Sequence, residues 1–323
     1  MPVNNPETPK QGNKLLTSAV GVFAAAALCN LLWGSAFPVI KIGYEVFGIP
    51  SNDFASQILF AGIRFMTAGV MGIAMGSIGS KRLLVPKRNE LSKVFLLCIF
   101  QTILQYVLFY IGLSSTSGVK ASVIEGANVF AALLVSGLIF RMEKVTGRKL
   151  AGCAAGFAGV VLVNLGSGFD MSFSLTGEGF ILLSTLSYAF STVLMKHYSS
   201  RGTDPVMLSG WQFLFGGGAM TAAGCAMGGQ INYSGTKSTL LLLYLAAVSA
   251  CAYSLWSILL KLNPVSRVAV YGFLNPIFGV ILSTLLLKEG SVFGGKTALA
   301  LLLVCTGIYL VNSGKKSQSP EKT

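Results

Sequence analysis

The sequence predicts an all-α integral membrane protein: ten transmembrane helices arranged as two inverted five-helix repeats. Three observations carry that prediction. Apolar runs long enough to cross a bilayer fill nearly the whole chain, charge is scarce and gathered to one side of those runs, and the second half repeats the first at a near-constant offset. Of 323 residues, 53% are hydrophobic and 11% charged, whereas a soluble globular chain carries about 25% charged residues. Mean hydropathy is +0.70.

A span needs about 20 predominantly apolar residues. Ten runs qualify, at 19–44, 54–78, 92–113, 119–140, 149–167, 178–197, 205–228, 238–260, 267–287 and 294–313. Short connections leave no room for a sizeable soluble domain. Residues 1–18, rich in Pro and Asn, read as a disordered cytoplasmic tail, and 315–323 as a second tail. The first apolar run continues to Ile42, too long for a signal-peptide core, so it is expected to be an uncleaved span.

A net charge of +13 can mark a nucleic-acid partner. Here the basic residues sit in short loops, which favours membrane orientation and no nucleic acid. With the N-terminus in the cytoplasm, eighteen Lys and Arg fall on the cytoplasmic side and five (Lys41, Lys120, Lys237, Lys288, Lys296) on the other, with Arg64 inside a span. The positive-inside rule then places both termini in the cytoplasm of a multi-pass plasma-membrane protein.

The duplication appears at offset 147, where Tyr106 meets Tyr253, Phe109 meets Trp256, Lys120 meets Arg267 and Asn128 meets Asn275. At offset 148, Arg64-Phe65 meets Gln212-Phe213, and GVVLVNLG (159–166) meets GIYLVNSG (307–314). Five spans per copy is an odd number, so the second copy enters the membrane upside down, over 168–314 against 19–167 for the first. Inverted repeats of this kind set a substrate site near the midplane where the halves meet.

One carboxylate interrupts the apolar run of the fourth span: Glu125, with Asn128, Ala132 and Ser136 on the same helical face. A charge at membrane depth is expensive and faces a protein interior or a wet cavity. At about 1.5 Å per residue, Glu125 lies roughly 10 Å and Arg64 roughly 16 Å from the outer face. They can pair and lock spans two and four together, or share a cavity in which Glu125 meets an amine or carries a proton. Asn30, Trp33 and Phe37 share a face of span one, and Tyr188 and Ser191 lie on span six. Tyr106, Phe109, Tyr253 and Trp256 form repeat-related pairs, with Gln101 and Gln105 preceding Tyr106. Such aromatics are either packing and interface residues or walls of a shared cavity. Tyr271, Asn275 and Gly279 follow i, i+4, i+8 in span nine, where Pro276 can kink the helix and free a carbonyl near Gly272. Lys41 is placed to snorkel and Lys120 to sit at the interface.

The six cysteines fall in apolar segments without zinc-site spacing, and His197 is the only histidine, so no metal or other cofactor is expected. No GxxxxGK[ST] phosphate loop occurs, and the glycines sit inside spans, where small residues let helices approach.

The chain resembles the EamA-like family of the drug/metabolite transporter superfamily. WGSAFPVIK (33–41), IRF (63–65), the loops of Glu143 and Glu289, and NPIFGVILSTLLLKEG (275–290) carry the resemblance, which spans residues 20–314. It implies gradient-driven export or exchange of small metabolites, often amino acids, without ATP. The chain departs from the family pattern at Glu125, which aligns with Gly272, and at Val129, which aligns with Pro276. The candidate substrate contacts are Glu125, Arg64, Asn128, Asn275, Trp33, Tyr106, Tyr188, Tyr253, Trp256 and Tyr271. Glu125 suits a cation or zwitterion and is the candidate for proton coupling; Arg64 and Lys41 suit a carboxylate. A nucleotide-sugar antiporter would want more cavity-facing basic residues. A membrane enzyme would want a nucleophile–base constellation, and a scaffold that has lost transport is the third alternative.

Overall fold

A computed structural model describes residues 14–50, 52–116, 118–164, 174–287 and 295–313. The terminal tails and the Glu289 loop lie outside the described residues, which are helical with no strand. Ten helices follow in order. α1 is Ala19–Val46, α2 Phe54–Ser80, and α3 Leu91–Leu97, Cys98–Leu104 and Gln105–Ser114 in series. α4 comprises Gly118–Gly126, Asn128–Leu134 and Val135–Ile139; α5 is Gly147–Asn164; α6 joins Leu175–Gly179 to Phe180–Ser200. α7 is Pro205–Ala226, α8 Thr236–Leu262, α9 Val265–Ala269, Val270–Phe273 and Leu274–Leu287, and α10 Gly295–Asn312. Six of them, α1, α2, α3, α6, α8 and α9, are long and apolar enough to cross a membrane. α4 and α10 contain shorter apolar stretches, Val123–Ile139 and Ala298–Asn312. The molecule is an integral membrane protein.

Local chemistry sets the boundaries. Ser18 accepts from the Gly21 amide (3.0 Å), Asp53 from Ser56 (3.0 Å), and Asp204 from Val206 (2.9 Å) and Met207 (3.0 Å), with Pro205 opening α7 where a missing N–H costs nothing. Hydrogen bonds from the Ser56 hydroxyl and amide hold the Asp53 carboxyl below its ordinary value. α2 stops at Lys81, whose φ of 51° is left-handed.

α2 and α7 pack backbone against backbone. Glycines recur every seven residues in both, Gly62, Gly69 and Gly76 against Gly210, Gly217 and Gly224, offset by 148. A Cβ on Gly62 would stand 2.4 Å from the Thr221 nitrogen, and one on Gly217 2.3 Å from the Met66 nitrogen. α5 and α10 repeat the device: a Cβ on Gly307 would fall 2.5 Å from the Gly152 carbonyl oxygen. Small residues thus allow the close approach that dispersion and lipid exclusion reward.

Two helices are interrupted near mid-length and a third, α9, in its second turn. α3 widens to π geometry over Cys98–Leu104, a form often found at functional sites. α4 breaks at Ala127, whose amide bonds back three residues to Ile124 (2.9 Å). α9 tightens to a 3₁₀ turn over Val270–Phe273. Glu125 and Asn128 therefore stand on opposite sides of a break, and Ser136 on a π turn, rather than on one continuous face. The α4 and α9 breaks adjoin: a Cβ on Gly272 would be 3.8 Å from Val129 Cγ2.

Candidate functional site

α2, α3, α7 and α8 bring repeat-related aromatics into contact. Tyr106 Oη lies 3.3 Å from Tyr253 Oη. Phe65 and Phe213 stack with centroids 5.1 Å apart and planes 2° from parallel. The flanking contacts match: Phe65 to Tyr106 at 4.6 Å, and Phe213 to Tyr253 at 4.7 Å. α1 adds Trp33, edge-on to Tyr253 (5.0 Å) and to Trp256 (5.1 Å).

Arg64 is the cation of this cluster. It is 6% exposed, its guanidinium carbon sits 4.3 Å above the Phe65 ring, and its Nε has no partner. It lies in electrostatic reach of Tyr44, Tyr106 and Tyr253. Glu125 is half-buried and in reach of Tyr106 and Tyr188. Among the described residues no hydrogen bond or ion pair engages either charge, so the lock between α2 and α4 is absent and both charges face Tyr106 separately.

Further polar atoms are buried and unpartnered: Nε1 of Trp33 and Trp256, Oε1 of Gln101 and Gln105, and Oδ1 of Asn30, Asn128 and Asn275. Buried polar atoms are nearly always satisfied by protein or water; these atoms, like Nε2 of Gln212 and Oδ1 of Asn312, have no hydrogen-bond partner among the described residues. The loosened backbone of the π turn leaves the carbonyls of Phe100 and Gln105 to accept from Ser187 (2.6 Å) and Ser184 (2.7 Å) of α6.

Of the candidate contacts, Arg64, Trp33, Tyr106, Tyr253 and Trp256 come together directly, with Glu125 and Tyr188 alongside. Asn128 and Asn275 flank the adjoining breaks. Tyr271 does not join the cluster; its ring meets Phe23 of α1 edge-on at 6.0 Å. Phe37 is 43% exposed. Phe65, Phe213, Tyr44 and the Thr102–Gln212 hydrogen bond were not singled out from sequence, although the 148 offset had already paired Phe65 with Phe213.

These features define an integral membrane protein with a polar, aromatic site enclosed by several spans. The profile of the EamA-like transporter family matches residues 20–165 and again 175–313, and the chain belongs to that family, within the drug/metabolite transporter superfamily. It is 28% identical to an uncharacterized transporter of Archaeoglobus fulgidus, over 88% of this chain and 96% of that one. It is 26% identical to the uncharacterized transporter YvbV of Bacillus subtilis (90% and 92%) and 28% identical to the uncharacterized inner membrane transporter YedA of Escherichia coli K12 (91% of each). A solved crystal structure shares the fold at a TM-score of 0.73 and 15% identity, covering 92% of this chain and 98% of that one.

Proposed function

We propose that the protein is a secondary transporter that exports or exchanges small polar metabolites such as amino acids, without ATP, by alternating access between two inverted five-helix halves. The ten helices are read as ten crossings, with residues 19–167 and 168–314 as the halves and both termini in the plasma-membrane cytoplasm. One observation carries the reading: a buried Arg64 and a half-buried Glu125, neither of them ion-paired among the described residues, lie in electrostatic reach of Tyr106, which meets its offset partner Tyr253. A carboxylate would meet Arg64 and the Tyr106 and Tyr253 hydroxyls. An amine would meet Glu125, with the indole N–H groups and Asn128 and Asn275 free for further polar groups. Relatives named as transporters favour transport over catalysis.

A thermal-shift screen of metabolites on the purified chain tests this, because a ligand stabilises by RT ln(1 + [L]/Kd). Counterflow of each hit in proteoliposomes follows. No stabilising metabolite and no counterflow would remove the proposal. If Glu125 carries a proton, Glu125→Gln flattens the pH dependence of counterflow; an unchanged profile excludes that role.

A further inference from the structure

The α4–α5 loop holds a carboxylate that the central site does not use. Glu143 Oε1 accepts from the Ser136 hydroxyl at the end of α4 (2.8 Å) and from the Ser266 amide at the start of α9 (2.9 Å). Its Oε2 accepts from the Ser266 hydroxyl and from Lys149 Nζ at the start of α5. The Glu143 side chain is 8% exposed and that of Lys149 18%. One buried carboxylate from the first half thus caps the first turn of a helix in the second, where N–H groups lack helical partners.

We infer that Glu143 is a positioning residue that latches the ends of α4 and α9 together on the membrane face carrying the excess of basic residues, closing the central site from that face. The inference rests on the alternating-access reading. α4 and α9 have adjoining breaks, at Ala127 and Val270–Phe273, so their outer segments can swing while the central aromatics stay in contact. Burial pulls the Glu143 carboxyl upward, but hydrogen bonds from Lys149, Ser266 and Ser136 outweigh it and hold it below the ordinary carboxylate value. Lys196 of α6 and Cys153 of α5 are the other titratable groups within its electrostatic reach.

The repeat makes the latch one-sided. At offset 147 Ser136 corresponds to Ser283 and Lys149 to Lys296, and Glu289 corresponds to Glu143 at offset 146. Ser266, however, corresponds to Val119, which has no hydroxyl to offer. The second half repeats the acid, the serine and the lysine but not the receiver, and Glu289 itself lies outside the described residues, so the latch inferred is the one on the basic face.

A thiol reporter tests this in the full-length protein. Val270, fully buried one turn into α9 from Ser266, is changed to Cys. Proteoliposomes of known orientation receive a membrane-impermeant sulfonated maleimide from the basic face, and modification of residue 270 is followed by peptide mass spectrometry. Glu143→Gln is expected to speed modification at least ten-fold and Ser266→Ala several-fold, Lys149→Arg to leave the parent rate, and reagent on the opposite face to show neither acceleration. Rates within two-fold of the parent for both Glu143→Gln and Ser266→Ala overturn the latch. So does an equal acceleration from Arg82→Gln, which removes only the 3.9 Å Arg82–Asp204 contact. If Glu143→Gln fails to yield monodisperse protein, Ser266→Ala decides alone, since it deletes one hydroxyl. The assay needs no substrate, so failed counterflow removes the transporter reading and leaves this result standing, while unchanged modification with working counterflow removes only the latch.

Discussion

Arg64 is the residue whose energetics stand furthest from ordinary packing. A buried charge without a counter-ion is costly, and replacing buried charges by apolar groups of similar volume is often neutral or stabilising by about 1–4 kcal/mol. Arg64→Met is therefore expected to raise the melting temperature of the purified protein while erasing the thermal shift given by any carboxylate ligand. A variant that melts lower and still responds to ligand would make Arg64 a packing residue. Arg64 and Glu125 were legible in the sequence because a charge inside an apolar run has no routine explanation. Phe65 and Phe213 were not, because phenylalanine in such a run is the default occupant and nothing local marks the one that stacks across the repeat. Tyr271 was legible in kind but not in direction. A 3₁₀ turn advances about 20° more per residue than an α-helix, and Tyr271 stands in such a turn, with its ring against Phe23 of α1.

At the level of elements, the glycine faces of α2 and α7 give a sharp contrast between neighbours. Gly217 sits against the Met66 and Gly62 backbone, whereas a Cβ on Gly218 would meet nothing within 4 Å. Gly217→Ala is expected to destabilise by about 3 kcal/mol, the upper range for overpacking, and to lower the yield of folded protein. Gly218→Ala should be neutral or stabilise by up to about 1 kcal/mol, because alanine loses less backbone freedom in a helix. Thermal melts of the two variants side by side check both. Asp204→Ala removes the acceptor for two amides at the start of α7 and is expected to cost about 1 kcal/mol. For the six helices long and apolar enough to cross a membrane, the expected spans agree with the described helices to within three residues at each end, since apolar length and flanking polar residues fix where such a helix starts and stops. The interruptions were harder to foresee. Pro276 hinted at a kink in α9, but α4 breaks at Ala127, directly after Gly126, without a proline.

For the whole molecule, the near-constant offset was legible because one residue in several recurs at a fixed spacing; the family profile matches residues 20–165 and 175–313. What surfaced only in three dimensions is that partners under the offset touch each other, Tyr106 with Tyr253 and Phe65 with Phe213. The latch adds a pH expectation. Because the Glu143 carboxyl is held below its unfolded value, its contribution is fully present above about 4.3, the free glutamate value, and is lost only as pH falls through the lower folded value. Thiol reporting at position 270, divided by the rate of a free thiol at the same pH to remove the titration of cysteine itself, should therefore stay slow between pH 6 and 8. A rise within that window that survives Glu143→Asp would point to another group.

The chain contains three tryptophans. Trp33 and Trp256 stand ring to ring beside Tyr253, while Trp211 donates to the Leu84 carbonyl oxygen (2.8 Å) at the molecular periphery. Two of the three intrinsic fluorophores are thus built into the wall of the candidate site, and the third can be silenced by Trp211→Phe without touching it. The protein carries its own optical probe: a guest that enters between Trp33 and Tyr253 must change the indole emission, so occupancy can be titrated on unlabelled material before any flux is measured.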